Sequence, residues 1–155
     1  MFEAFQQRLL ANPDFFGRKK LLLAVSGGVD SIVMTDLFNR IGHDISIAHC
    51  NFNLRGTESD ADEDLVRTYA DKNNIPFFTT RFDTDKFASD NKLSIQVAAR
   101  RLRYAWFNEL VEQNGFDFVL TAHHADDNLE TFLINLSRGT GLDGLTGIPF
   151  QNGKI

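Results

Sequence analysis

Short apolar runs alternate with amphipathic stretches along this chain. The runs over 21–25, 45–50, 77–82 and 118–121 are dense in aliphatic and aromatic residues and too short for helices, so they read as strands. Between and around them, apolar residues recur at helical spacing over 2–10, 29–41, 59–73, 94–114 and 126–137, which predicts helices. In the helix over 94–114, Ile95, Ala99, Leu102, Trp106 and Leu110 make one stripe expected to face the core. The alternation predicts an α/β fold: a doubly wound, mainly parallel sheet with helices on both faces and right-handed crossovers. In such sheets ligands collect beyond the carboxyl ends of the strands, near the switch in strand order. The residues with chemistry to offer all follow a predicted strand, at 26–31, 49–56 and 121–130.

The first of these segments is Ser26-Gly27-Gly28-Val29-Asp30-Ser31, a turn that runs from a strand directly into a helix. Its glycines permit positive φ and remove Cβ atoms that would block a ligand. The amides of the helix's first turn, with the helix dipole, then form an anion site for which phosphate is the expected occupant. No Gly-Lys-Ser/Thr follows the glycines, and Gly-x-Gly-x-x-Gly is absent, so neither the Walker loop nor the dinucleotide fingerprint applies. The alternative is an ordinary turn with Ser and Asp acting as helix caps. Ser-Gly-Gly-x-Asp-Ser resembles the signature of the PP-loop ATP pyrophosphatases. That resemblance implies a loop of Ser26, Gly27, Gly28, Val29, Asp30 and Ser31 that grips ATP phosphates while ATP is split into AMP and pyrophosphate. It also implies hydroxyl contacts from Ser26 and Ser31, and a place for Asp30 near Mg²⁺.

Composition narrows the class. A chain of 155 residues has the length of one domain with a substantial core. No apolar run approaches the ~20 residues of a bilayer span, and the N-terminus lacks the pattern of a signal peptide. A single cysteine, Cys50, excludes an internal disulfide and a cysteine-only metal site. A cytoplasmic location, with no membrane partner, is the expectation. The net charge of −5 argues on its face against nucleic acid, but the charge is uneven. Glu58, Asp60, Asp62, Glu63 and Asp64 read as the solvated first turns of a helix, whereas Arg100, Arg101 and Arg103 form a basic cluster. The segment 139–149 is a glycine-rich loop, followed by what reads as an unfinished strand entry. The chain is therefore expected to be the N-terminal piece of a longer protein.

A second constellation, His123-His124-Ala125-Asp126-Asp127-Asn128-Leu129-Glu130, opens the last predicted helix. The spacing of Asp127 and Glu130 puts both carboxylates on one face of the first turns. Carboxylates held together beside a nucleotide can bind an amine, hold Mg²⁺ or act as a base. Asp126 reads as a cap or a surface acid and His124 as structural, while His123 is a candidate for phosphate or an activated base. The adjacent histidines lack a further ligand set for a metal.

These segments together are similar to the tRNA(Ile)-lysidine synthetase family. The likeness runs through Ser26-Gly27-Gly28-Val29-Asp30-Ser31, the segment 49–56 ending in Leu54-Arg55-Gly56, Ala99-Arg100-Arg101-Leu102-Arg103-Tyr104, the block 122–131, and Arg138-Gly139-Thr140-Gly141. The resemblance implies the fold of PP-loop ATPases and other adenine nucleotide alpha hydrolases. It implies a carbon–nitrogen ligase that uses ATP and Mg²⁺ to join L-lysine to C2 of the wobble cytidine of isoleucine tRNA with a CAU anticodon, through an adenylated base. Asp127 and Glu130 would hold lysine, Arg103 and His123 would stabilise phosphate or the adenylated base, and a homodimer is left open. One departure is visible: the family's His-x-Asn-His after the second strand ends here in Phe52. Rival expectations are a PP-loop tRNA thiolase, which would need cysteines for sulfur transfer or an Fe–S cluster, and a non-catalytic ATP-binding module.

Overall fold

The computed structural model describes residues 2–11, 13 and 17–122. The predicted helix over 126–137 and the glycine-rich end of the chain lie outside them. The described elements are α1 (Phe2–Leu10), β1 (Leu21–Ala24), α2 (Val29–Arg40), β2 (Ile45–Asn51), α3 (Thr57–Lys72), β3 (Phe77–Arg81), α4 (Thr84–Asp90), α5 (Ile95–Asn114) and β4 (Phe118–Thr121). No helix among the described residues is long and apolar enough to cross a membrane.

The strands form a parallel sheet in the order β3-β2-β1-β4. Two crossovers step outward from β1 to β2 and β3, and the next returns past both to the far side of β1. The order therefore switches at β1, between β2 and β4. On one face, Leu21, Leu23 and Val25 pack with Phe38 of α2 and with Val66 and Ala70 of α3. On the other, Leu22 and Ala48 pack with Phe107, Leu110 and Val111 of α5. Outward and return crossovers thus use opposite faces, as one handedness of connection requires. Leu21, Leu22 and Leu23 are each 0% exposed, which is why the first strand reads as an unbroken apolar run instead of an alternation.

Helix ends follow local chemistry. Ser94 Oγ accepts from the Val97 amide to start α5, and Gly115 ends it at φ 68° in the left-handed region. The short helix α4 has no counterpart among the predicted elements. Asp83 caps it by accepting from the Lys86 amide at 3.1 Å, but its seven residues are too few to show a helical period.

The core stripe of α5 also differs from the prediction. Ala98, Phe107, Leu110 and Val111 are buried, whereas Ile95 is exposed and Leu102 and Trp106 are half-buried. Twenty residues of helix extend about 30 Å, and the four-residue neighbour β4 about 13 Å. Only the second half of α5 covers the sheet. Its first half rises past the strand ends and carries Arg103 with it.

The acidic start of α3 is not wholly solvated either. Glu63 is 4% exposed and accepts from Arg67 at 2.9 Å, from Arg81 of β3 at 3.1 Å and from the Asn51 carboxamide of β2 at 3.0 Å. Burial pushes its pKa up, but the hydrogen bonds from Asn51 and Arg67 and the charges of Arg81 and Arg67 outweigh burial and hold it below the ordinary value. A carboxylate whose pKa falls on folding stabilises the fold above its unfolded pKa and loses that contribution as pH drops through the lower folded value. Glu63→Gln is therefore expected to lower the unfolding free energy at neutral pH by about 1–2 kcal/mol, with both arginines partly in water. In urea titrations across pH, the gap between variant and wild type should narrow as pH falls below 4.5.

Candidate functional site

A cavity of about 280 Å³ lies at the carboxyl ends of β1, β2 and β4, at the switch in strand order. Ser26, Gly28, Asp30 and Ser31 line one side, Ala48, Cys50 and Phe52 another, and Arg103 and Phe107 of α5 close it from the far face of the sheet. Thr121 and Ala122 bring the end of β4 to the same space.

The loop after β1 is braced from within. Ser31 Oγ donates to the Gly28 carbonyl at 2.8 Å and lies 3.4 Å from Ser26 Oγ, which also accepts from the Gly28 amide at 3.3 Å. Thr35 Oγ1 donates to the Ser31 carbonyl at 2.8 Å. Buried His49 donates from Nδ1 to the Val25 carbonyl at 2.8 Å, which fixes the end of β1 against β2. No side chain caps α2 at Gly28. A helix start with no side-chain cap, beside the cavity, suits an anion. Val29 is exposed beside them.

The two glycines differ. Gly27 stands at φ +97°, where a Cβ would sit 3.2 Å from the Asp62 side chain. Gly28 has φ −71°, open to any residue, and a Cβ there would meet only Ser26 Oγ at 3.4 Å. Positive φ is needed at one position of the pair. Asp62 itself is paired with Arg55 at 3.0 Å, so the carboxylate against the loop is neutralised. Asp62 was expected only as a solvated acid of the helix start, and its contact with Gly27 was not foreseen, because the contact joins α3 to a loop far away in sequence.

The segment after β2 is held at nearly every residue. The Asn51 carboxamide donates to Ser59 O, Asp60 Oδ1 and Glu63 Oε2, while its oxygen accepts from the Asn53 amide at 2.9 Å. The Phe52 carbonyl accepts from buried Thr84 Oγ1 at 2.8 Å. The Phe52 ring stacks on Phe82 at 5.6 Å and 27°, and the Arg103 guanidinium lies 5.1 Å from its centroid. The Cys50 thiol is pushed up to about 12 by burial, against the lowering effect of Arg103. A thiol held that high stays protonated at neutral pH.

Of the sequence-predicted site residues, Ser26, Gly28, Asp30, Ser31 and Arg103 meet at this cavity, with Gly27 and Val29 in the same loop. His123, Asp127 and Glu130 lie outside the described residues. Among the described residues no group of three or more His, Cys, Asp or Glu side chains is placed to hold a metal ion.

Fold and cavity define a nucleotide-binding α/β domain whose phosphate loop follows the switch-point strand. The family model described as a PP-loop domain, an ATP-binding family, matches residues 1–154, and the chain belongs to that family. It is 45% identical over 141 residues to the tRNA(Ile)-lysidine synthase of Bacteroides thetaiotaomicron, covering 91% of this chain and 33% of that protein. It is 46% identical to the enzyme of that name from Parabacteroides distasonis, covering 88% of this chain and 31% of that protein. With that of Chlorobaculum tepidum it is 45% identical over 154 residues, covering 97% of this chain and 45% of that protein. The chain thus spans less than half the length of these curated relatives. Among solved structures, NMN synthetase from Francisella tularensis shares the fold with a TM-score of 0.56 at 15% identity, covering 96% of this chain and 75% of that one.

The unequal glycines give a direct test. Gly27→Ala is expected to cost about 1–3 kcal/mol in urea unfolding and to weaken ATP binding, read by calorimetry, by at least ~10-fold. Gly28→Ala should cost less than about 1 kcal/mol in folding, since its backbone needs no change.

Proposed function

We propose that this chain is the N-terminal catalytic domain of an enzyme that joins L-lysine to C2 of the wobble cytidine in isoleucine tRNA with a CAU anticodon. The observation that carries the reading is the pairing of a phosphate loop with Arg103 around one cavity, in a chain 45% identical to proteins named tRNA(Ile)-lysidine synthase. The C2 carbonyl oxygen of cytidine attacks the α-phosphorus of ATP, the bond to the β-phosphate breaks, and pyrophosphate leaves. The ε-amine of lysine then attacks C2, the C2–O bond breaks, and AMP departs. A poor leaving group has become a good one.

In this reading the loop amides and the Ser26 and Ser31 hydroxyls take the phosphates. Asp30, the carboxylate that lines the cavity, would hold Mg²⁺. One carboxylate fits an ion bound mainly through nucleotide phosphates and water better than an all-protein cage would, and bound there it would neutralise phosphate charge. Arg103 and His123 stabilise charge on the phosphate or the adenylated base. Asp127 and Glu130 bind the amine and take its proton, because only the neutral amine attacks. A sulfur-transfer reaction is disfavoured, since Cys50 is the sole cysteine and its thiol lies at about 12.

The test is nucleoside analysis of CAU-anticodon transcript after incubation with ATP, lysine and the full-length protein. Lysidine should form, and Glu130→Ala should lower its rate by about 100-fold or more. An unmodified wobble cytidine, or a Glu130→Ala enzyme as fast as wild type, would overturn the assignment. Pyrophosphate release that ignores the tRNA would favour a different acceptor.

A further inference from the structure

Phe52 performs no step of the proposed reaction, yet its ring lines the cavity and lies 5.1 Å from the Arg103 guanidinium. An arginine at the mouth of a phosphate site poses a problem. Its long side chain must be held in place, but a carboxylate partner would cancel the charge that the site needs. Among the described residues Arg103 has no ion pair within 4.0 Å, while Arg55, Arg67 and Arg81 all do. An aromatic face attracts a guanidinium electrostatically and leaves its N–H donors for an anion.

The ring is itself fixed. Its backbone carbonyl accepts from Thr84 Oγ1 at 2.8 Å, and the ring stacks on Phe82 at 5.6 Å. Phe82 meets Trp106 edge-on at 6.5 Å. Trp106 lies one turn beyond Arg103 on α5, on the same face. The chain of contacts therefore leaves α5 at Trp106, passes through Phe82 and Phe52, and returns to α5 at Arg103. Both ends of the aromatic ladder are anchored on one helix, so the ring cannot shift without disturbing the helix that carries the arginine.

We propose that Phe52 is a positioning residue: its ring holds the Arg103 guanidinium over the cavity, aimed at phosphate, without neutralising it. The inference rests on the reading of Arg103 as a phosphate-stabilising group. Its test is a double-mutant cycle in the full-length enzyme, with pyrophosphate release measured at saturating tRNA and lysine. Phe52→Leu and Phe52→Met keep an apolar side chain and remove the π face. Either should lower kcat/KM by about 3- to 20-fold, while Phe52→Tyr keeps at least half of the wild-type value. In an Arg103→Met background the same Phe52 changes should add less than twofold. Equal losses in both backgrounds, or a Phe52→Tyr enzyme as impaired as Phe52→Leu, would show that the ring only packs and would overturn the proposal. A wild-type rate for Phe52→Leu with a slow Arg103→Met would overturn the positioning role alone. A wild-type rate for Arg103→Met would remove the reading on which the proposal stands and the proposal with it.

Discussion

Leu21, Leu22 and Leu23 of strand β1 have no face that water reaches, and the site depends on that. The strand lies between β2 and β4, and Leu21, Leu22 and Leu23 are wholly buried between helices on both sides. Burying side chains of this kind contributes on the order of 2 kcal/mol each, so the strand cannot slide in register without exposing them. Its parallel pairing matches Leu21 with both Ile45 and Phe118, and Ala24 with both Ala48 and Thr121. β1 and β4 consequently end level, while β2 runs on past Ala48 to Asn51. The loop at Ser26 leaves from β1, where, among the described strands, outward and return crossovers diverge.

A second constraint acts one strand over. The Asn51 carboxamide sits 2% exposed at the end of β2 and serves α3 through three acceptors, while Asp60 and Glu63 together hold Arg81 of β3. A buried amide with so many partners leaves the chain little freedom to leave the strand in another direction. The segment after it then turns through Asn53 and Gly56, both at positive φ. Phe52 is delivered to the cavity, and Arg55 to Asp62 beside the phosphate loop. Core packing sets where the strands end, and polar satisfaction sets where the loops go.

This division explains what could be read from the sequence. The strands and the long helices were legible because burial on one face or two imposes a period on the residues themselves. Ser26–Ser31 was legible because few backbones other than a strand-to-helix turn want that order of glycines and hydroxyls. Nothing local distinguishes Gly27 from Gly28, since the requirement for φ +97° comes from the course of the chain past Asp62. Glu63 looks like its acidic neighbours until Arg81, a β3 residue, is folded against it. The stripe on α5 was misread because periodicity reports an apolar face but not how far the sheet beneath it extends. Phe52 could be seen as a departure from the resembled family, but its contact with Arg103 joins a loop to a helix beyond three further elements.

An acidic chain can take a polyanion without contradiction. At physiological salt, charges more than about 8 Å apart in solvent are largely screened, so the net −5 says little about the field inside the cavity. What counts there is the short list of groups within reach. The uncapped amides of α2 supply partial positive charge, Asp30 is an acid on the cavity wall, and Asp62 of α3, against the loop, is balanced by Arg55. Arg103 faces the cavity with an aromatic ring for its neighbour instead of a carboxylate. Were Phe52 an acid, it would hold the arginine more tightly and would also compete with the phosphate for it. For the proposed role a π face would serve better because its attraction is weaker than that of a phosphate anion, so the arginine would be held before the ligand arrives and free to pair with it afterwards.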